Sequence, residues 1–142
     1  MPASAPRNER IDQRSVGVVE MGVAAGVGRE LWDEQPESWI ELLANVPNAE
    51  YVALKIVGDS MAPLMHTGDT VLVKRSPHVQ ERTVIVARHP DDGYVCKRVR
   101  RIVGDHIELE SLAVDGPSLS IPRRNDLILG TVLVVWCAHR VQ

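Results

Sequence analysis

The chain contains a serine whose local sequence suits nucleophilic chemistry. Ser60 follows Gly58 within residues 57–63, between a glycine turn and the start of a helical turn. Glycine permits backbone angles that other residues avoid, and the N–H groups at a helical start have no intrahelical partner. A serine beside such N–H groups can attack a carbonyl carbon while they stabilise the resulting oxyanion. By itself, the stretch is more typical of a plain turn between strands with a capping serine.

A lysine further along the chain can supply the base that a serine nucleophile needs. Lys97 lies in an alternating stretch, residues 94–99, which is typical of a β-strand and puts it on the same face as Val95 and Val99. Burial on an apolar face disfavours the charged amine and lowers its pKa from about 10.4. A neutral amine can remove the proton of a serine hydroxyl. The alternative is a packed methylene stem with the ammonium group in water.

These residues occur in a pattern that resembles the LexA/UmuD family of self-cleaving serine peptidases, the S24 type. The pattern comprises Ala24-Ala25-Gly26, Gly58-Asp59-Ser60-Met61 with Pro63, Gly68-Asp69, and Lys97-Arg98-Val99. The similarity extends from about residue 16 to about residue 136. It implies that Ser60 is the nucleophile and that Lys97 is the general base. It also implies that Met61 contributes a backbone N–H to the oxyanion site and that the bond between Ala25 and Gly26 is cleaved.

The resemblance implies a complete cleavage reaction that uses no metal or cofactor. Neutral Lys97 removes the proton of Ser60, whose oxygen attacks the carbonyl carbon of Ala25. The amine of Gly26 leaves with a proton from Lys97, and water then hydrolyses the acyl-enzyme. We therefore expect cleavage to accelerate as the pH rises.

Composition restricts the class of protein. The chain has 142 residues, of which 44% are hydrophobic and 25% are charged, as expected for one domain with its own core. A net charge of -3 disfavours direct binding of DNA by this chain. The longest apolar run, residues 127–138, is too short to span a membrane, and the N-terminal residues do not resemble a signal peptide. We expect a cytoplasmic protein.

The cysteine and histidine residues show no spacing typical of metal ligands. Cys96 and Cys137 lie far apart in sequence, and we expect both to be reduced and buried, with a disulfide between them as the alternative. The five histidines are isolated, and His66, close to Ser60 in sequence, is expected on a surface turn. The sequence therefore predicts neither a metal site nor a cofactor.

The remaining sequence predicts a mainly β fold, and the resemblance implies a LexA/signal-peptidase-like sandwich or barrel with short helices. Short apolar stretches separated by turn residues predict strands at residues 52–57, 70–74, 83–87, 94–99, 107–109, 119–122 and 127–136, and residues 16–23 also suit a strand. Turn residues at 89–93 and 103–105 predict hairpins. Pro36 and the helical spacing of the apolar residues after it predict a short helix that ends near Asn45.

The chain divides into an arm and a domain at the predicted cleavage site. Residues 1–26 are expected to form a flexible arm that carries the cleavage loop, and residues 27–142 are expected to form the peptidase domain. Small residues around Ala25 let a peptide bend and be approached closely in a tight site. By composition alone, the same stretch is an ordinary glycine-rich loop.

The resemblance also implies partners and a biological setting. It implies regulation of the SOS type after DNA damage, a homodimer, and stimulation by the RecA–single-stranded DNA filament. The dimer interface would involve the last strand, where Val132, Val134 and Trp136 are candidates unless they belong to the core.

Several functional interpretations stay open from the sequence. Only 25 residues precede the predicted bond, too few for a helix-turn-helix domain. The chain is therefore expected to be either a stand-alone UmuD-like protein that partners a translesion polymerase or the C-terminal part of a repressor. Two other classes are a cleavage-inactive dimerisation module of a transcriptional regulator and a signal-peptidase-like enzyme acting in trans. The latter would be expected to carry a membrane anchor.

Overall fold

A computed structural model describes residues 15–21, 36–42, 44–89, 93–113 and 118–137 of the chain. Within these residues, nine strands form one sheet: β1 (Ser15–Glu20), β2 (Ser38–Glu41), β3 (Tyr51–Lys55), β4 (Thr70–Arg75), β5 (Val84–His89), β6 (Gly93–Val103), β7 (His106–Glu110), β8 (Ser118–Pro122) and β9 (Ile128–Trp136). A 3-10 turn, Asn125–Leu127, precedes β9. The mainly β fold predicted from the sequence is confirmed.

The strand order brings distant parts of the chain together at the centre of the sheet. The order is β2-β1-β3-β4-β9-β5-β6-β7-β8. The pair β1 and β3 is parallel, and the other neighbouring strands are antiparallel. The register of β9 shifts once against β4, between Leu72 and Val73, and once against β5, between Val86 and Ala87. Such irregularities are typical of β-bulges, which bend a strand locally, and both lie along β9.

Two apolar cores lie on opposite faces of β5 and β6. The first core comprises Val19, Met21, Leu54, Ile56, Met61, Met65, Val71, Val73, Val86, Tyr94, Cys96 and Leu129. The second core comprises Ile85, Ala87, Val99, Ile107, Leu109, Ile121 and Ile128. Successive residues of a strand point to opposite faces, and Ile85 and Val86 indeed belong to different cores. Residues 94–99 of β6 therefore have an apolar core on each face, whereas Arg100, Arg101 and Val103 further along the strand are exposed.

The helix predicted from Pro36 to Asn45 is wrong. Residues Ser38–Glu41 form β2, which pairs antiparallel with β1 and puts Trp39 opposite Gly17. Over so few residues an apolar pattern fits the period of a helix and that of a strand equally well. The neighbouring strand supplies backbone hydrogen bonds that favour the extended form. A side chain at Gly17 would collide with the ring of Pro36, so this pairing also depends on glycine.

The predicted hairpin turns differ in how much of them the structure describes. Gly104 lies in the tight turn between β6 and β7 with a φ of 58°, and this turn pairs Val103 with His106. The other hairpin joins β5 to β6 and pairs His89 with Gly93. Residues 90–92 at its tip lie outside the described residues.

Part of the predicted arm belongs to the sheet. Residues 15–20 form β1, in which Val18 and Val19 are buried. The predicted cleavage site at Ala25 and Gly26 lies outside the described residues, as does residue 14 and everything before it.

The described residues contain neither a membrane-length apolar helix nor a metal-binding cluster. None of their helices has the length and hydrophobicity needed to cross a membrane. No group of three or more His, Cys, Asp or Glu side chains among them could hold a metal ion.

The two cysteines are free, but only one is buried. Cys96 lies in the first core, whereas Cys137 is exposed, so the prediction that both are buried is wrong for Cys137. Cys137 directly follows Trp136, the last residue of β9. Burial raises the pKa of the Cys96 thiol to about 12, and the neighbouring charge of Lys97 acts in the opposite direction.

We expect the two cysteines to differ sharply in alkylation. At pH 8, a thiol with a pKa of about 12 is a thiolate in roughly one molecule in ten thousand, so Cys96 should react with iodoacetamide only after unfolding. Cys137 should react readily in the folded protein. Peptide mass spectrometry with and without urea measures both, and Cys137→Ser is the control that should remove the fast reaction. Equal labelling rates in the folded protein would contradict the burial of Cys96.

We expect Gly130→Ala to lower the free energy of unfolding by more than about 3 kcal/mol, because its Cβ would meet the backbone carbonyl of Lys74 across the strand pair. Gly104→Ala is the control, since it has open space but a φ of 58°, and it should cost about 1 kcal/mol. Urea unfolding measures both variants. Equal losses would show that strand β4 moves aside at Gly130.

Candidate active site

Ser60 lies in the connection between β3 and β4, in a tight turn that follows Gly58. Gly58 has a φ of 98°, a conformation that only glycine adopts without strain, as the sequence predicted for this turn. The chain then turns as a helix does: Ala62 N–H donates to the carbonyl of Asp59 (3.1 Å) and Met65 N–H to that of Met61 (3.1 Å). The side chain of Met61 is buried in the first core, so the backbone beside Ser60 is anchored from within.

A network of side chains fixes the two ends of this connection against each other. Asp69 is 5% exposed and its carboxylate accepts a hydrogen bond from His66 N–H (2.9 Å). Thr67 N–H donates to the carboxylate of Asp59 (3.2 Å), and Gly58 N–H donates to the hydroxyl of Thr67 (3.2 Å). The two Gly-Asp pairs of the sequence pattern therefore lie side by side and hold the loop that carries the serine.

His66 is on the surface of this loop, as the sequence predicted. More than half of its side chain is exposed, and its Nδ1 lies 3.9 Å from the carboxylate of Asp59.

Lys97 lies on β6 opposite Ile85 of β5, and only 6% of it is exposed. It shares its face of the strand with Val95 and Val99, which pack in or against the second core. The burial expected from the alternation of the sequence is therefore found. A buried amine needs a polar partner, because burial without one carries a large desolvation penalty.

The partner of Lys97 is Ser111, which the sequence analysis did not identify. Lys97 Nζ donates a hydrogen bond to Ser111 Oγ with a length of 2.8 Å. Ser111 directly follows β7. Because Arg98 pairs with Glu110, the next residue of the chain, Ser111, lies beside Lys97. The signal that could have identified Ser111 is a hydroxyl one residue beyond the strand that pairs with the lysine strand. To use this signal, one must know the register between β6 and β7, which a single sequence does not provide.

The residues after Ser111 bind the backbone of the serine loop. The N–H groups of Leu112 and Ala113 both donate to the carbonyl oxygen of Ser60, at 2.9 and 3.0 Å. The segment 111–113 thus contacts the lysine with its first residue and the serine with its next two. It connects two parts of the chain that the sheet alone does not join.

Ser60 and Lys97 line the same cavity, which has a volume of about 290 Å³. Its remaining walls are mostly apolar and include Ile56, Met61 and Leu119. A serine hydroxyl and an amine in an apolar cavity can perform acyl transfer, with the amine as base and backbone N–H groups as oxyanion donors.

The chain enters this cavity shortly before the predicted cleavage site. Met21 is the last described residue before Ala25, and it is 6% exposed and lines the cavity with Ser60. It follows β1, which is held between β2 and β3. Met21 thus places the chain against the cavity four residues before Ala25.

The candidate dimer residues lie on β9, at the centre of the sheet. Val132 is half-buried and packs against the first core, as an ordinary core residue does. Val134 is also half-buried, whereas Trp136 is 37% exposed. The core accounts for Val132 and leaves the other two as interface candidates.

Comparisons with known proteins agree with the fold and with the pattern of motifs. Residues 17–133 match the model of a family described as peptidase S24-like. A LexA repressor from Pelagibacter ubique (strain HTCC1062) is 33% identical over 106 residues, which cover 73% of this chain and 46% of that repressor. The matched part is thus about half the length of this curated relative. The match to the family model covers most of the chain, and we conclude that the chain belongs to the peptidase S24-like family.

Proposed function

We propose that this chain is a serine endopeptidase that cleaves its own bond between Ala25 and Gly26, with Ser60 as nucleophile and Lys97 as general base. One observation carries the proposal: the serine and a buried lysine, distant in sequence, line one cavity. Membership of the S24-like family supports the reaction class. The apolar walls of the cavity suit the small side chains around the bond.

The steps follow from the chemistry of the two side chains. The neutral amine of Lys97 takes the proton of Ser60 as the serine oxygen bonds to the carbonyl carbon of Ala25. The backbone N–H at Met61 stabilises the negative charge on the carbonyl oxygen. The C–N bond then breaks, the protonated Lys97 returns a proton to the leaving amine of Gly26, and water hydrolyses the ester. No metal or cofactor takes part in these steps.

Cleavage within one chain is supported by the position of Met21. Met21 lines the cavity, and Ala25 follows four residues later, so an extended chain can carry the bond up to about 13 Å from Met21. This reach is comparable to the dimensions of the cavity. The bond is therefore close enough to Met21 along the chain to reach the cavity of its own molecule.

The biological role that best fits is regulation by self-cleavage. The relative named a LexA repressor, of which this chain matches about half, supports control of transcription, and the resemblance in the sequence motifs suggests that this control is of the SOS type. In that role the partners are a second copy of the chain and the RecA–single-stranded DNA filament. A UmuD-like role with a translesion polymerase is the alternative, and a polymerase gene beside this one in the genome would favour it.

Cleavage should depend on Ser60, on Lys97 and on pH. Intact-mass analysis of the chain should show fragments that end at Ala25 and begin at Gly26. The rate should rise by about tenfold per pH unit and then level off, because the fraction of neutral lysine grows until the amine has lost its proton. Ser60→Ala and Lys97→Ala should abolish the reaction.

The control for this experiment is Lys74→Ala, which removes an exposed lysine of β4 and should leave the rate unchanged. A rate that is flat from pH 6 to 10 would rule out the lysine as base. Wild-type protein that stays intact at alkaline pH, also with RecA filament added, would overturn the proposed function.

The reaction should be first order and independent of protein concentration. An intramolecular step gives the same half-life when the protein is diluted about a hundredfold, whereas cleavage between chains slows in proportion to dilution. A second test mixes unlabelled wild type with ¹⁵N-labelled Ser60→Ala chain, and mass spectrometry distinguishes the two. Cleavage of the labelled chain would show that one molecule cuts another.

A further inference from the structure

We propose that Ser111 is a positioning residue, which fixes the amine of Lys97 relative to Ser60. The inference rests on the proposed function and adds a third side chain to it. Its basis is the 2.8 Å hydrogen bond from Lys97 Nζ to Ser111 Oγ, together with the attachment of the next two residues to the carbonyl of Ser60. Nothing in the sequence pattern marks this serine.

The first step of the argument concerns the amine itself. A lysine side chain has four flexible carbon–carbon bonds, and an amine at its end can rotate freely unless something holds it. A neutral amine has two N–H donors and one lone pair. When one N–H donates to Ser111 Oγ, the rotation of the amine is restricted and the lone pair stays available for the proton of Ser60. A general base must lie within hydrogen-bonding reach of that proton.

The second step concerns the position of Ser111, which is set by the sheet. The pairing of β6 with β7 is fixed next to Lys97 by a hydrogen bond from Arg98 Nε to Glu110 Oε2, 2.8 Å long. Ser111 follows Glu110 directly, so a slip of β7 by one residue would remove the hydroxyl from the lysine. Register therefore controls the geometry of the site.

The third step concerns the distance between base and nucleophile. Leu112 and Ala113 donate to the carbonyl of Ser60 at 2.9 and 3.0 Å, and Ser111 precedes them. The same three-residue segment thus holds the lysine by a side chain and the serine by its backbone. Movement of this segment shifts both groups together, which maintains their separation.

The test compares Ser111→Ala with Ser111→Thr, which keeps the hydroxyl, and with Ser120→Ala, an exposed serine of β8 as the matched control. We expect self-cleavage to slow by about ten- to a hundredfold in Ser111→Ala, because a misplaced base loses orientation. Ser111→Thr should recover most of the rate, and Ser120→Ala should match wild type. Thermal unfolding of all three variants shows whether the fold is retained.

A second readout does not depend on cleavage. The chain has three lysines, so labelling with [¹³Cε]lysine in a Ser60→Ala background gives three resonances, and the one lost in Lys97→Arg belongs to Lys97. Without the hydroxyl acceptor the charged amine loses a partner, so in Ser111→Ala this resonance should titrate at a lower pH. The neighbouring Cys96 keeps its proton over most of this range, with a pKa of about 12, and the ion pair of Arg98 with Glu110 is common to both proteins.

The outcomes separate this inference from the proposed function. Wild type that cleaves while Ser111→Ala cleaves within about twofold of it would overturn the role of Ser111 and leave the proposed function standing. A slow Ser111→Ala that Ser111→Thr does not rescue would also overturn it. If wild type does not cleave, the proposed function fails, and the titration of Lys97 then tests the contact with Ser111 alone. An unchanged titration in Ser111→Ala overturns this contact, and a shift to lower pH supports it.

Discussion

The arrangement of this molecule depends on the burial of one amine. Lys97 is almost fully covered because residues 94–99 of β6 have an apolar core on each face. A buried cation without partners destabilises a fold by several kcal/mol, so the sheet must supply a polar group or favour the neutral amine. The structure supplies a hydroxyl at 2.8 Å and a cavity that also contains a serine. The burial that disfavours the charged amine in such a site also favours the neutral form, which can accept a proton.

Two backbone segments, the loop after Gly58 and the segment 111–113, are held next to that amine. The loop after Gly58 is held by hydrogen bonds from Thr67 N–H to Asp59 and from Gly58 N–H to Thr67, and the segment 111–113 is held by the pairing of β6 with β7. Each segment would have several conformations alone. Two backbone hydrogen bonds to the carbonyl of Ser60 join them, so the position of one limits the position of the other.

Sequence reasoning predicted the parts of the fold that depend on local pattern. Strand β4 is a short apolar stretch that follows a turn, β6 alternates over residues 94–99, and Gly58 has a positive φ, so these features were predicted correctly. The segment at residues 38–41 was mispredicted as a helix, because the apolar pattern of four residues fits a helix and a strand equally well. Pairing with β1 favours the strand. Ser111 was missed because its contact depends on register across two strands. The exposure of Cys137 depends likewise on where β9 ends.

The place of β1 in the sheet would give the proposed self-cleavage a consequence beyond the broken bond. β1 lies between β2 and β3, and β2 reaches the sheet only through it. A cut between Ala25 and Gly26 would turn β1 from a segment of the chain into a bound peptide, retained by pairing and by the burial of Val18 and Val19. Its retention would then follow mass action, since the effective concentration supplied by the covalent link would be lost. Departure of the peptide would leave the edge of β3 unpaired and able to accept a strand from another chain.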